Sequence, residues 1–382
     1  MTRLEGRLLI DGALVSGALT IEGEHIGAIE PGAAAEGVAL PVIAPGLIDL
    51  HIHGFGLCDP LDDLAGMARG LALAGTTGFL PTLFPAHPER LGEHCATVEA
   101  ARGQLPAAAA SALGVHLEGP FVNPAAAGAL PLEDLATPSV DGLRAILGSA
   151  TGGGRGVTNV TLAPELPGSA ELVDELVRCG ARVSLGHSRS SAAEARSAVR
   201  SGAVGVTHLF NAMTGVHHRE MGLAGLALTE DLLFAEIIGD LVHVQREAFE
   251  LALRARGPQG LCLVSDALAG AGTGCDRFHL HGRDHIIDCG TAYYPPGEGR
   301  PERQLAGSAM SQLEMVRRLT SEGVVSLEEA LTMASTTPAR ALGLEAERGV
   351  LRPGARADLL VLEGPELALR EVRVGGQIVT AG

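Results

Sequence analysis

Asp49-Leu50-His51-Ile52-His53-Gly54 directly follows Ala44-Pro45-Gly46. On an extended strand, side chains two residues apart share a face. His51 and His53 can therefore aim two imidazoles at one point, which lets a strand grip a metal ion. Other polar groups close apolar runs further along: His116-Leu117-Glu118, Gly186-His187-Ser188, His208 ahead of Asn211, and Val264-Ser265-Asp266. Imidazoles with carboxylates suit one or two divalent ions, zinc first, with iron, nickel, manganese or cobalt as alternatives. Such an ion makes bound water acidic near neutral pH, and a neighbouring carboxylate can move the proton. Asp266 has the right location for that transfer.

Composition narrows the chemistry. Lysine is absent and the 28 basic residues are all arginine, which excludes a Schiff base, a P-loop lysine or a carbamylated lysine between two metals. A net charge of −17 argues against nucleic acid, which requires a basic footprint. An anionic substrate would then need a local cationic pocket. No apolar run has the length of a membrane span, and Met1-Thr2-Arg3-Leu4-Glu5 carries no secretory pattern, so the expectation is a cytoplasmic protein without membrane contact. The six cysteines lack paired spacing and read as buried free thiols.

These groups need a scaffold. Runs rich in Val, Ile, Leu and Thr recur near 47–53, 77–84, 112–118, 158–164, 182–187, 205–210, 234–239 and 260–266. Between several of them the apolar spacing is helical: Ser169–Cys179 ends before Gly180, Ser191-Ala-Ala-Glu194 is a capping box, and Gln245–Arg256 stops at Gly257. Strands alternating with helices predict a (β/α)8 barrel, with a doubly wound open sheet as the alternative. The polar groups then fall at the C-terminal ends of strands, where barrel enzymes place their chemistry. Residues 1–46 and 347–382 lack a helical period and predict a small β-sandwich subdomain assembled from both termini, with the barrel spanning 47–346. Residues 275–304 read as a loop or hairpin.

Several motifs together carry a family likeness: Pro45-Gly46-Leu-Ile-Asp-Leu-His-Ile-His53-Gly54, His116-Leu-Glu-Gly-Pro-Phe121, Gly186-His187-Ser188, Thr207-His-Leu-Phe-Asn-Ala-Met213, His217-His-Arg-Glu220, Val264-Ser-Asp-Ala267 and Leu305-Ala-Gly-Ser308. Over nearly its whole length the chain resembles the N-acetylglucosamine-6-phosphate deacetylases of the amidohydrolase superfamily. The resemblance implies that Glu118, His187 and His208 hold the main metal, that His51 and His53 add a second, and that Asp266 is the catalytic aspartate. It implies substrate contacts from Asn211, Ala212, His243, Ala129 and Ser308. Arg219, with His218, would reach the phosphate in a neighbouring subunit, which implies a homodimer. The implied substrate is N-acetylglucosamine 6-phosphate, with N-acetylgalactosamine 6-phosphate or another amide as the alternative. Two positions depart from the pattern: Leu130 replaces a histidine that polarises the scissile carbonyl, and Met221 replaces a proline.

Overall fold

The computed structural model describes residues 1–32, 40–148, 156–297 and 303–380. Eight parallel strands follow one another in sequence order around a barrel. They are Leu47–Ile52, Thr76–Leu83, Val115–Glu118, Val157–Leu162, Arg182–Leu185, Gly205–Val206, Phe234–Ile238 and Leu261–Val264. Each coincides with one of the eight runs read from the sequence. The (β/α)8 expectation holds, and the open sheet is excluded by the way the last strand returns to the first.

That seam is stitched by several bonds. Asp266 N donates to His51 O at 2.9 Å and His53 N to Ala267 O at 2.9 Å. The buried Gln312 amide donates to Ile48 O at 2.9 Å and to Leu263 O at 2.8 Å, one carbonyl on each side. Asp49 Oδ1 accepts from Ser265 N at 3.2 Å. The same bonds that close the barrel thus hold His51, His53 and Asp266 side by side. Glycine is required at both ends of the first strand: a Cβ on Gly46 would lie 2.0 Å from Thr77 Oγ1, and one on Gly54 would lie 2.8 Å from the Cys58 carbonyl and the Ala269 amide.

The predicted helices form at Ser169–Arg178, Ala192–Arg200 and Arg246–Arg256. The capping box on Ser191 and Glu194 is made in both directions, satisfying amides that the first turn leaves without partners.

The two ends of the chain share a seven-stranded sheet. Thr2–Ile10, Ala13–Glu22, His25–Pro31 and Val42–Pro45 join Leu359–Glu363, Ala368–Val374 and Gln377–Ile378. Alternate residues serve two cores, as the strand period of two requires. Leu8, Ile43, Leu359 and Val361 enclose a small core of their own, while Leu9, Val42, Ala44, Leu360 and Leu362 pack on the barrel. Residues 33–39 and 381–382 of the expected subdomain lie outside the described residues.

Of two remaining expectations, the hairpin reading of the excursion holds and widens to a sheet, and the burial of the cysteines needs correction. The excursion after the eighth strand contributes to a four-stranded antiparallel sheet of Arg277–Leu280, Arg283–Asp288, Thr291–Tyr293 and Leu305–Ser308. Its short alternating runs are hard to tell from a loop without the pairing partners. The six cysteines form no disulfide, but only Cys95 and Cys262 are buried; Cys58 and Cys179 are half-buried, and Cys275 and Cys289 are exposed. Cys275 precedes the first strand of that added sheet, and Cys289 sits on the turn between its second and third.

Candidate metal centre

At the C-terminal mouth of the barrel six side chains converge. His187 Nε2 lies 2.9 Å from Glu118 Oε1, and His208 Nε2 lies 3.1 Å from the same oxygen. The two imidazole nitrogens are 3.0 Å apart. On the other side of Glu118, His53 Nε2 is 3.3 Å from Oε2, and His51 Nε2 is 3.2 Å from His53 Nε2. Asp266 Oδ1 stands 3.5 Å from His51 Nε2 and 3.6 Å from His53 Nε2. Two donor groups result, His51-His53-Asp266 and Glu118-His187-His208, with Glu118 between them.

Their backbone explains how they turn inward. His187, His208 and Asp266 have φ of 45°, 31° and 47°, a left-handed region that non-glycine residues avoid at a cost of about 1–3 kcal/mol each. All three end barrel strands, where the chain must leave the sheet abruptly.

A cation fits these residues. His187 Nδ1 is 2.9 Å from the Ala126 carbonyl, a partner for Nδ1–H that leaves Nε2 facing the centre. Burial holds the His51 imidazole well below its usual range, with the Glu118 charge opposing. Four imidazoles and two carboxylates gathered this closely form a donor set that a cation satisfies. Nitrogen and oxygen donors in this number match zinc and the neighbouring divalent ions. Burial alone would raise Glu118, but His51, His187 and His208 hold its carboxyl well below the ordinary value. Burial, then the charges of Glu118 and Glu236, push the Asp266 carboxyl well above it.

A cavity of about 380 Å³ opens above these groups. Asn211, Ala212, His243, Ala129 and Leu130 line it together with Glu118, His187, His208 and Asp266. His243 is fixed by Asp240, whose Oδ2 lies 2.7 Å from His243 Nδ1. Ser308 does not join them. It is buried, and its hydroxyl donates to the Ser265 carbonyl at 2.5 Å, while the preceding Leu305, Ala306 and Gly307 of its strand line the cavity. Arg219 and His218 are not at their own chain's cavity either. Both are exposed, with Arg219 NH1 2.9 Å from His218 Nε2.

The Amidohydrolase family model matches residues 42–379. The chain belongs to the amidohydrolase family. It is 37% identical over 350 residues to an N-acetylglucosamine-6-phosphate deacetylase of Bos taurus, covering 88% of this chain and 83% of the bovine one. To an N-acetylgalactosamine-6-phosphate deacetylase of Escherichia coli O157:H7 it is 33% identical over 347 residues, covering 89% and 88%. A mutant N-acetyl-D-glucosamine-6-phosphate deacetylase from Mycobacterium smegmatis, solved in complex with N-acetyl-D-glucosamine-6-phosphate, superposes with a TM-score of 0.87 at 28% identity, covering 100% of this chain and 99% of that one.

Several groups around the centre of this amidohydrolase are not among the expected site residues. Asp49, which burial raises to about 7, accepts from His51 N at 3.3 Å and from Ser265 N. Phe84 stacks on the His53 ring at 3.9 Å, nearly parallel. Asp240 orients His243, and Glu236 contacts His51 Nδ1 at 3.0 Å. For Glu236 a signal existed in the sequence. It interrupts the apolar strand Phe234-Ala-Glu-Ile-Ile238, and a carboxylate is seldom buried in a barrel strand without a partner. His116 is different: its Nε2 is 2.8 Å from Thr161 Oγ1 and its Nδ1 3.3 Å from Thr82 Oγ1. Burial, then the neighbouring His51, keeps it neutral with a pKa of about 3, a satisfied histidine in the wall.

Proposed function

We propose that this amidohydrolase removes the N-acetyl group of N-acetylglucosamine 6-phosphate, giving glucosamine 6-phosphate and acetate. The observation that carries this reading is Asp266 standing beside the two donor groups, in a cavity also lined by His243 and Asn211. The names of the relatives at 31–37% identity support the substrate class. A divalent ion held there would supply Lewis acidity to the amide carbonyl and to the attacking water. Asp266 takes the proton of that water. The same carboxyl then returns it to the amine as the C–N bond breaks, so the sugar leaves as a neutral amine rather than as its anion. His243, held through Nδ1 by Asp240, keeps Nε2 for a sugar or phosphate oxygen. Asn211 anchors its turn by donating to the His208 and Leu209 carbonyls at 3.3 Å. Glu118, His187 and His208 would hold one ion, and His51, His53 and Asp266 a second.

Arg219 completes the site of a second subunit, so the working enzyme is a cytoplasmic homodimer. Its side chain is exposed and is absent from the lining of its own cavity, and a guanidinium matches phosphate oxygens in a two-pronged fork. Arg219→Ala should raise KM about 10–100-fold, the loss of one charged contact worth about 1.4–2.8 kcal/mol. Mixing it with Asp266→Asn should restore activity, because each mixed dimer regains one intact site; random exchange predicts about a quarter of the native rate. No recovery on mixing rules out the shared site.

Leu130 favours a second reading, N-acetylgalactosamine 6-phosphate. The wall beside the carbonyl is apolar there, and the Escherichia coli relative carries that name. The two epimeric phosphates, assayed for acetate release under identical metal conditions, decide between them. The main reading predicts the higher kcat/KM for the gluco epimer; the reverse order transfers the proposal to the galacto sugar.

A further inference from the structure

Glu236 sits within the seventh barrel strand, buried beneath the metal centre. Its Oε2 lies 3.0 Å from His51 Nδ1 and accepts from the His208 backbone amide at 3.4 Å. The other imidazoles of the centre are supported differently. His187 Nδ1 faces the Ala126 carbonyl at 2.9 Å, while His53 Nδ1 and His208 Nδ1 are buried without a hydrogen-bond partner. Only His51 has an anion behind it. A carboxylate in that position fixes the ring so that Nε2 carries the lone pair, and it makes that nitrogen a stronger ligand.

Charge balance points the same way. Two dications facing only Glu118 and Asp266 would leave an excess of buried positive charge, and Glu236 supplies a further negative charge through the His51 ring. The Glu118-His187-His208 group does not contain His51; there Glu236 meets only the His208 backbone amide, at 3.4 Å, and no ligating ring. We infer that Glu236 is a positioning residue that builds the second cation site, on His51, His53 and Asp266, and acts on the Glu118-His187-His208 site far less.

The inference rests on the metal reading above, but not on the substrate. Full-length Glu236→Gln and Glu236→Leu are loaded with zinc, dialysed, and compared with native protein by metal content and competition with a chromophoric chelator. Native protein should hold two equivalents. Glu236→Leu should hold the first at native affinity and bind the second about 10–100-fold more weakly. Glu236→Gln keeps an acceptor for Nδ1–H but no charge, and should fall at the lower end of that range. A role in folding alone would lower thermal stability without separating the two equivalents. The inference is overturned if both variants keep two equivalents at native affinity, if both lose the two in parallel, or if native protein binds only one. Should the leucine variant not fold, the glutamine variant decides alone. No substrate is needed, so failure to release acetate would sink the proposed function and leave this result standing.

Discussion

Asp266→Asn should lower acetate release by about 10²–10⁴-fold, the usual contribution of a positioned acid–base group. Asparagine preserves the shape, and the backbone bonds of this residue do not involve the side chain: Asp266 N donates to His51 O at 2.9 Å and Ser308 N to Asp266 O at 2.8 Å. The barrel seam should therefore stay closed. The Glu118-His187-His208 ion should remain bound, since Asp266 is not in that group. What disappears is an oxygen that can take a proton and give it back. The measurement is kcat with metal content determined on the same sample. A variant that retains both its metal and its rate removes Asp266 from the mechanism.

The second large effect is expected at Glu118. Its carboxylate touches both groups, Oε1 against His187 and His208 and, at 3.5 Å, His51, and Oε2 against His53. Glu118→Ala should thus weaken both ion sites at once and cut turnover at least about 10³-fold, because the ion supplies several kcal/mol of transition-state stabilisation. Truncating one peripheral ligand should be milder: His53→Ala leaves Glu118, His187 and His208 in place. Metal analysis of the two variants side by side checks this. Equal metal loss in both would mean that Glu118 does not bridge the groups.

Much of this was legible in the sequence because the barrel repeats a simple pattern. Runs rich in Val, Ile, Leu and Thr located the eight strands, glycines ended several helices between them, and polar residues at the run ends stood out against them. His51 and His53 share a direction because strands have a period of two, and the close approach of Thr77 explains why Gly46 precedes them. Other features depend on the closed barrel itself. Gln312 reads as an ordinary polar residue at the start of a helix, and only the seam reveals its two carbonyl partners. Ser308 follows cavity residues Ala306 and Gly307, yet its hydroxyl donates to the Ser265 carbonyl across the seam, a partner that only the closed barrel supplies. Glu236 belongs to the seventh strand and His51 to the first, 185 residues apart, so no local pattern could pair them. The His217-His218-Arg219 loop is exposed and lies outside the lining of its own chain's cavity, so the fold of one chain gives it no ligand.

The most direct test of the central claim is acetate release from N-acetylglucosamine 6-phosphate before and after metal removal. Protein stripped by a chelator and dialysed should lose turnover by at least about 10³-fold, and regain it on titration with zinc or a neighbouring divalent ion. Native-level turnover by protein shown to be metal-free would contradict the account.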